Sequence, residues 1–178
     1  KLRDISARHG HTLVYVTHDQ NEAMTLAEQV VVMDSGRVVQ MGTPQELFEN
    51  PVHPHVGYFI GTPSMNFLPG KLLGGRVEVL GHEVGLPISS ELNGGSEILV
   101  GIRPEFISLS PKAGKKTIPG SVVDIQDMGG FAILSAKLSE EHELKVRVRE
   151  RVPPIGGPCH LELQPDRVCF YVDDRLIN

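Results

Sequence analysis

The chain has 178 residues, with 17 Lys plus Arg against 22 Asp plus Glu, which gives a formal net charge of −5. That mild acidic excess argues against nucleic-acid binding, because neutralising phosphates needs a basic surface. A hydrophobic content of 40% argues against global disorder, and no apolar run approaches the roughly 20 residues that span a bilayer.

In residues 1–61, β-branched runs alternate with helical stretches. Residues 13–17 form a continuous apolar run, which predicts a strand buried on both faces of a parallel sheet. Residues 19–29 predict a helix with an alanine- and leucine-containing apolar face. Residues 30–34 predict a second strand, and the Ser-Gly turn before residues 38–41 predicts a hairpin. Exposed edges of such strands would seek partners, including a second copy of the chain.

A short helix is predicted to begin after Thr43. Thr43 is suited to cap it, Pro44 occupies the first helical position, and Glu46 completes a capping box. Asn50 and Pro51 end the helix. Residues 56–60 predict a further turn or two of helix before Gly61.

After residue 61 the pattern changes to short strands separated by Gly/Pro turns. Alternating residues such as 144–149 place apolar side chains on one face and cations on the other. This spacing without intervening helices predicts an all-β, closed or partly closed barrel, or two barrel-like halves around a loop at residues 111–116. The predicted strands are 76–80, 97–102, 120–126, 131–138, 143–148, 159–163 and 167–172.

Neither cysteine nor histidine spacing predicts a metal site. Cys159 and Cys169 are expected to be reduced thiols, with a disulfide left open if they lie on neighbouring strands. The pairs at residues 9–11 and 53–55 are expected to be loop histidines. Arg103 is either an anion site or, in the preferred interpretation, half of an ion pair with Glu105. The lysines at 112, 115 and 116 are expected to form a solvated loop.

His18 directly follows the strand predicted at residues 13–17, where α/β sheets place their ligands. An imidazole there is suited to hydrogen-bond a phosphate or an attacking water, although a lone histidine at a strand end is also common as a structural residue. Residues 15–20 read Tyr-Val-Thr-His-Asp-Gln and residues 32–36 Val-Met-Asp-Ser-Gly, followed by Gly-Thr-Pro at 42–44. Together they resemble the ABC-transporter ATPases. The resemblance implies that His18 is the switch histidine, which contacts the ATP γ-phosphate and helps to position the hydrolytic water.

The resemblance extends along the chain. Residues 59–68, Phe-Ile-Gly-Thr-Pro-Ser-Met-Asn-Phe-Leu, look like the junction segment of carbohydrate and glycerol-phosphate importer ATPases. Residues 101–105, Gly-Ile-Arg-Pro-Glu, look like the hallmark of their appended TOBE domain, which is built on oligonucleotide/oligosaccharide-binding (OB) barrels. The implied organisation is an α/β segment ending a nucleotide-binding domain at residues 1–61 and an OB-like regulatory domain at 62–178.

That family implies an energy-coupling subunit that uses ATP and Mg, forms a homodimer and docks on transmembrane permease subunits at the cytoplasmic face of the bacterial inner membrane. The β domain then receives a regulatory protein or a small ligand, and no nucleic acid is involved. Residues 1–178 contain no G-x-x-x-x-G-K-[ST] loop, so this segment alone is expected to bind no cofactor and to be inactive as an ATPase. The alternative is a stand-alone OB-like module that senses a small anion, a sugar or a protein.

Overall fold

The computed structural model describes residues 12–87, 97–149 and 152–177, with no side-chain description for residues 84–87. Three short helices lie in the first part of the chain. No helix in these ranges is long and apolar enough to cross a membrane. The helices are α1 (Gln20–Leu26), α2 (Pro44–Glu49) and α3 (Pro54–Phe59).

Each helix begins where a side chain satisfies its free amides, as helix N-termini require. The Asp19 carboxylate accepts hydrogen bonds from the backbone of α1. The predicted capping box of α2 is confirmed: the Thr43 hydroxyl oxygen accepts from the Glu46 amide at 3.2 Å, and Glu46 accepts from the Thr43 amide at 2.7 Å. For α3 the cap is His53, whose Nδ1 accepts from the His55 amide at 3.0 Å.

The predicted hairpin is also confirmed. Strands β1 (Val30–Asp34) and β2 (Arg37–Gly42) pair antiparallel through a turn at Ser35 and Gly36. One face of β1 is buried through Val30 and Val32, which pack with apolar side chains of α2 and α3. The opposite face, which carries Val31 and Met33, is exposed.

The strand predicted at residues 13–17 is wrong for this structure. These residues are assigned to no strand, and the side chains of Val14 and Val16 are 84% and 89% exposed. A continuous apolar run becomes a buried strand only when neighbouring strands bond to both of its edges. No described strand pairs with this segment.

The remainder of the chain forms two antiparallel sheets. The six-stranded sheet has the order β13-β12-β6-β3-β4-β5, and the five-stranded sheet has the order β10-β9-β8-β11-β7. The first contains β3 (Asn66–Leu73), β4 (Arg76–Val79), β5 (His82–Pro87), β6 (Glu97–Ile102), β12 (Val168–Val172) and β13 (Arg175–Leu176). The second contains β7 (Ile107–Ser110), β8 (Thr117–Asp127), β9 (Ala132–Lys137), β10 (Glu143–Val148) and β11 (Pro158–Leu163).

The two sheets enclose one hydrophobic core. Val100 and Ile102 of one sheet and Leu134, Ala136 and Leu161 of the other belong to the same buried cluster and have no exposed surface. Burial of such side chains supplies most of the driving force for folding. All seven predicted strands are present, with ends shifted by no more than a few residues, whereas β3, β5, β7 and β13 were not predicted.

Candidate functional site

The predicted site residue His18 lies at the exposed apex of a bend before α1. The bend is held from both sides of the histidine. The Asp19 amide donates to Thr17 Oγ1 at 3.0 Å, and the Thr17 hydroxyl donates to Glu22 Oε2 at 2.9 Å. His18 itself has no hydrogen bond or ion pair with the described residues. Its imidazole is exposed, so a group from outside the described residues can reach it.

Tyr15, three residues before His18, also donates a hydrogen bond to the Glu22 carboxylate that Thr17 contacts. Its hydroxyl donates to Glu22 Oε2 at 3.0 Å, and the Glu22 carboxylate raises the pKa of Tyr15 through this bond and through its negative charge. The Glu22 carboxylate thus accepts hydrogen bonds from two hydroxyl groups, those of Tyr15 and Thr17, which both precede His18. The result fixes the path of the backbone into and out of His18.

Gln20 connects the His18 bend to the junction at residues 61–62. The Gly61 amide donates to Gln20 Oε1 at 2.6 Å, and Gln20 Nε2 donates to Thr62 Oγ1 at 2.9 Å. A longer bond of 3.4 Å joins Nε2 to the Gly61 carbonyl. The primary amide is suited to this task because it offers a donor and an acceptor together. Gln20 and Gly61 are 41 residues apart, so residue spacing gave no signal for this contact.

Arg103 holds the other side of the junction. It is only 1% exposed, and its guanidinium stacks 3.8 Å above the Phe48 ring. Its Nε donates to the Phe48 carbonyl at 2.8 Å and its Nη1 to the Ile60 carbonyl at 2.6 Å. Those carbonyls end α2 and α3, where backbone acceptors lack helical partners and the helix dipole favours a cation.

The predicted ion pair of Arg103 with Glu105 is therefore wrong as a direct contact, because the hydrogen bonds of the guanidinium go to backbone carbonyls. Burial lowers the pKa of Arg103, and the negative charge of Glu105 opposes that shift without a hydrogen bond. Among the described residues, Arg103 Nη2 has no hydrogen-bond partner. The two carbonyl partners lie 43 and 55 residues away in the chain, so residue spacing gave no signal for them.

The turn between α2 and α3 is fixed to the six-stranded sheet. The Tyr171 hydroxyl donates to the Pro51 carbonyl at 2.9 Å, and burial is the main cause that raises the pKa of Tyr171. The Leu176 amide donates to the Val52 carbonyl at 3.1 Å. The helices and the sheets consequently share a bonded contact along residues 48–61.

The remaining candidates are structural in this geometry. Cys159 and Cys169 are free, buried thiols on strands of different sheets, and burial raises the pKa of both. Lys112 and its neighbours form an exposed loop. The histidines at 9 and 11 lie outside the described residues, and within the described ranges no three His, Cys, Asp or Glu side chains gather to hold a metal.

Comparison with known families identifies the two sheets. A family model described as the MalK OB fold domain matches residues 61–107, and one described as the TOBE domain matches residues 100–170. The fold thus defines an OB-type β region of the kind appended to transport ATPases. The chain carries the MalK-type OB fold and TOBE domains, and its relatives are ABC transporter ATP-binding proteins.

Individual relatives agree with this assignment. An ABC transporter ATP-binding protein of Sinorhizobium fredii is 41% identical over 92% of this chain and 43% of its own length. The sn-glycerol-3-phosphate import ATP-binding protein UgpC of Cereibacter sphaeroides is 35% identical over 92% of the chain and 45% of its length. The maltose/maltodextrin import ATP-binding protein MalK of Salmonella typhimurium is 42% identical over 72% and 37%. The chain spans about two fifths of the length of these relatives.

Proposed function

We propose that residues 1–61 are the end of an ABC-type nucleotide-binding domain, with α/β character, and that residues 62–178 are its regulatory OB-like domain. The complete subunit couples ATP hydrolysis to import of a sugar or glycerol 3-phosphate. The UgpC and MalK relatives are import ATP-binding proteins for sn-glycerol 3-phosphate and for maltose/maltodextrin, which supports this solute class. The stand-alone sensor is not favoured, because the chain's similarity extends across residues on both sides of the junction.

The observation that carries the proposal is the exposed His18 at the apex of a bend held by Thr17 and Glu22. A hydrogen-bond donor placed rigidly at a γ-phosphate stabilises the charge that develops during phosphoryl transfer and orients the attacking water. The exposed apolar side chains of Val14 and Val16 support a position against further strands of a nucleotide-binding domain.

Residues 1–178 supply only part of such a site. The exposed imidazole fits a single contact to phosphate, whereas the phosphate-cradling loop is absent from the sequence and Mg ligands are not gathered among the described residues. The 178-residue segment is therefore proposed to be inactive, and catalysis belongs to the complete subunit as a homodimer on its permease at the cytoplasmic membrane face. Bound Mg would neutralise phosphate charge during the reaction.

The test is His18→Ala in the complete subunit. ATP binding should persist, because the phosphate-cradling loop is unchanged, whereas hydrolysis should fall at least about 100-fold with the loss of a preorganised donor. His160→Ala is the matched control, since His160 lies on β11 in the other part of the fold. Unchanged turnover in His18→Ala would refute the assigned role. Mg-dependent turnover by the purified 178-residue chain, lost in His18→Ala, would refute the proposed inactivity.

A further inference from the structure

The junction at residues 61–62 and the residues that flank it are bonded to the helical part of the chain and to both sheets. From the helical side, Gln20 exchanges hydrogen bonds with Gly61 and Thr62. Gln20 comes two residues after His18, so the covalent chain between them spans at most about 7 Å. Asp19, between them, is itself fixed because its amide donates to Thr17 and its carboxylate caps α1. A short path of bonded residues therefore joins the Gly61 backbone to the His18 bend.

The six-stranded sheet holds the same junction through Arg103. Its Nη1 donates to the Ile60 carbonyl, one residue before the Gln20 contact. Arg103 leaves no room for a side chain at Gly61. A Cβ there would lie 2.6 Å from Arg103 Nη1, and φ at Gly61 is +112°. Gly61 is therefore held between an amide side chain from one side and a guanidinium from the other.

The five-stranded sheet is bonded to Asn66, the first residue of β3 and four residues after Thr62. The Asn66 side chain donates to the Lys145 carbonyl at 2.8 Å and accepts from the Lys145 amide at 2.8 Å. Asn66 is buried, and Lys145 lies on the edge strand β10. The six-stranded sheet is thus bonded next to Gly61 through Arg103, and the five-stranded sheet is bonded to the start of β3, four residues after Thr62.

We propose that Gln20 is a positioning residue for His18: its amide sets the His18 bend against the junction, so that a shift of the β sheets reaches the catalytic histidine through Gly61. This inference rests on the proposed role of His18. It extends that role, because it names the route by which an event on the β sheets changes hydrolysis. Gln20 itself touches no phosphate in this account.

The first measurement uses the 178-residue chain and needs no ATP. In Gln20→Ala, exchange of the Gly61 amide hydrogen should accelerate about tenfold or more, because its acceptor is removed. Thr62→Val removes only one acceptor of Gln20 and should give a smaller acceleration. The two changes together should accelerate exchange by less than the product of the single effects, since the residues share one interaction.

Gln40→Ala is the matched control. Gln40 makes the same kind of reciprocal bond, donating to the Asn50 carbonyl at 3.0 Å and accepting from the Val52 amide at 3.0 Å. It ties the hairpin to the turn after α2, away from His18. Gln40→Ala should leave Gly61 exchange at the wild-type rate.

The second measurement uses the complete subunit. Gln20→Ala should lower kcat for ATP about tenfold while KM for ATP stays unchanged, because binding does not depend on the bend. Gln40→Ala should leave kcat unchanged. Equal kcat in Gln20→Ala and wild type overturns the inference, and so does an equal loss in the two glutamine variants, which would reveal a purely structural role.

The two proposals fail separately. If His18→Ala abolishes hydrolysis while Gln20→Ala changes neither kcat nor Gly61 exchange, only the positioning role is refuted. If His18→Ala leaves hydrolysis intact, the proposed function falls and the positioning role falls with it, even where Gly61 exchange accelerates as expected.

Discussion

Replacing Arg103 by methionine tests whether the buried guanidinium fastens the two helices to the sheets. Methionine keeps an unbranched stem that can pack against Phe48 but removes the donors to the Phe48 and Ile60 carbonyls. Hydrogen bonds from a charged group contribute about 1.5–3 kcal/mol each, so two bonds amount to roughly 3–6 kcal/mol. Methionine also removes the buried, unpartnered Nη2. Burial of that group costs the wild type about 1–3 kcal/mol, and this relief offsets part of the loss. The middle of these two ranges gives an expected net loss of about 2–3 kcal/mol in the free energy of unfolding.

The assay is urea unfolding of the 178-residue chain, followed by circular dichroism. With a slope of about 2 kcal/mol per molar urea, the midpoint of Arg103→Met should fall by about 1–2 M. Arg76→Met is the control, because Arg76 forms an exposed ion pair with Glu83 and such pairs contribute about 0–1 kcal/mol.

The reasoning is refuted if Arg103→Met is as stable as wild type or more stable. Apolar replacements of buried charges are sometimes neutral or stabilising, because the cost of removing a charge from water can exceed the gain from its contacts. That outcome would mean that the bonds of Arg103 to the helix ends only compensate its burial.

Two further predictions concern single positions. Gly61→Ala should lower the free energy of unfolding by about 2–4 kcal/mol through strain at positive φ and the close approach to Arg103, whereas Gly129→Ala, also at positive φ but with no atom within 4 Å of an added Cβ, should cost about 1 kcal/mol; equal urea midpoints would contradict this difference. The bonds from Thr43 lower the pKa of the Glu46 carboxyl below its ordinary value of 4.5. The ionised carboxylate therefore stabilises the fold fully above its ordinary pKa, and this stabilisation is lost as the pH falls through the lower pKa of the folded state. Glu46→Gln should therefore unfold with a weaker pH dependence below pH 4.5 than wild type, and identical pH profiles would contradict the assignment.

Local chemistry made much of the fold predictable. The capping box of α2 depends on Thr43 and Glu46 three residues apart, a spacing that can be read directly from the sequence. Strand β10 was predicted with its observed bounds because its side chains alternate strictly between core and solvent. These signals lie within a few neighbouring residues and need no distant partner.

Strand β3 was missed because Pro69 and Gly70 resemble a break. In the structure Pro69 is exposed, while Gly70 is buried where a Cβ would lie 2.8 Å from Val100. The strand thus uses a glycine to admit a close neighbour, and that neighbour cannot be identified from the sequence. The error at residues 13–17 is the opposite one. Their apolar run predicted a buried strand, but no described strand pairs with this segment.

The site was predicted in the same uneven way. His18 stood out through its motif, and the structure exposes it at a bend. Gln20 and Arg103 act through backbone groups about 40 to 55 residues away. Nearly every residue has a backbone carbonyl and a backbone amide, so the type of a residue does not show that its backbone binds a distant side chain.

The Asn66 contact also bears on the solubility of the chain. Strand β10 ends its sheet, and an edge strand presents unpaired amides and carbonyls that another chain can extend by strand pairing. At Lys145 both backbone groups are already occupied by the Asn66 side chain. The Asn66 side-chain amide therefore makes the two hydrogen bonds that a neighbouring strand would make at Lys145, in the middle of the edge strand. An incoming strand would have to displace this buried side chain, and the turn at residues 104–106 that packs against β10, before it could pair there.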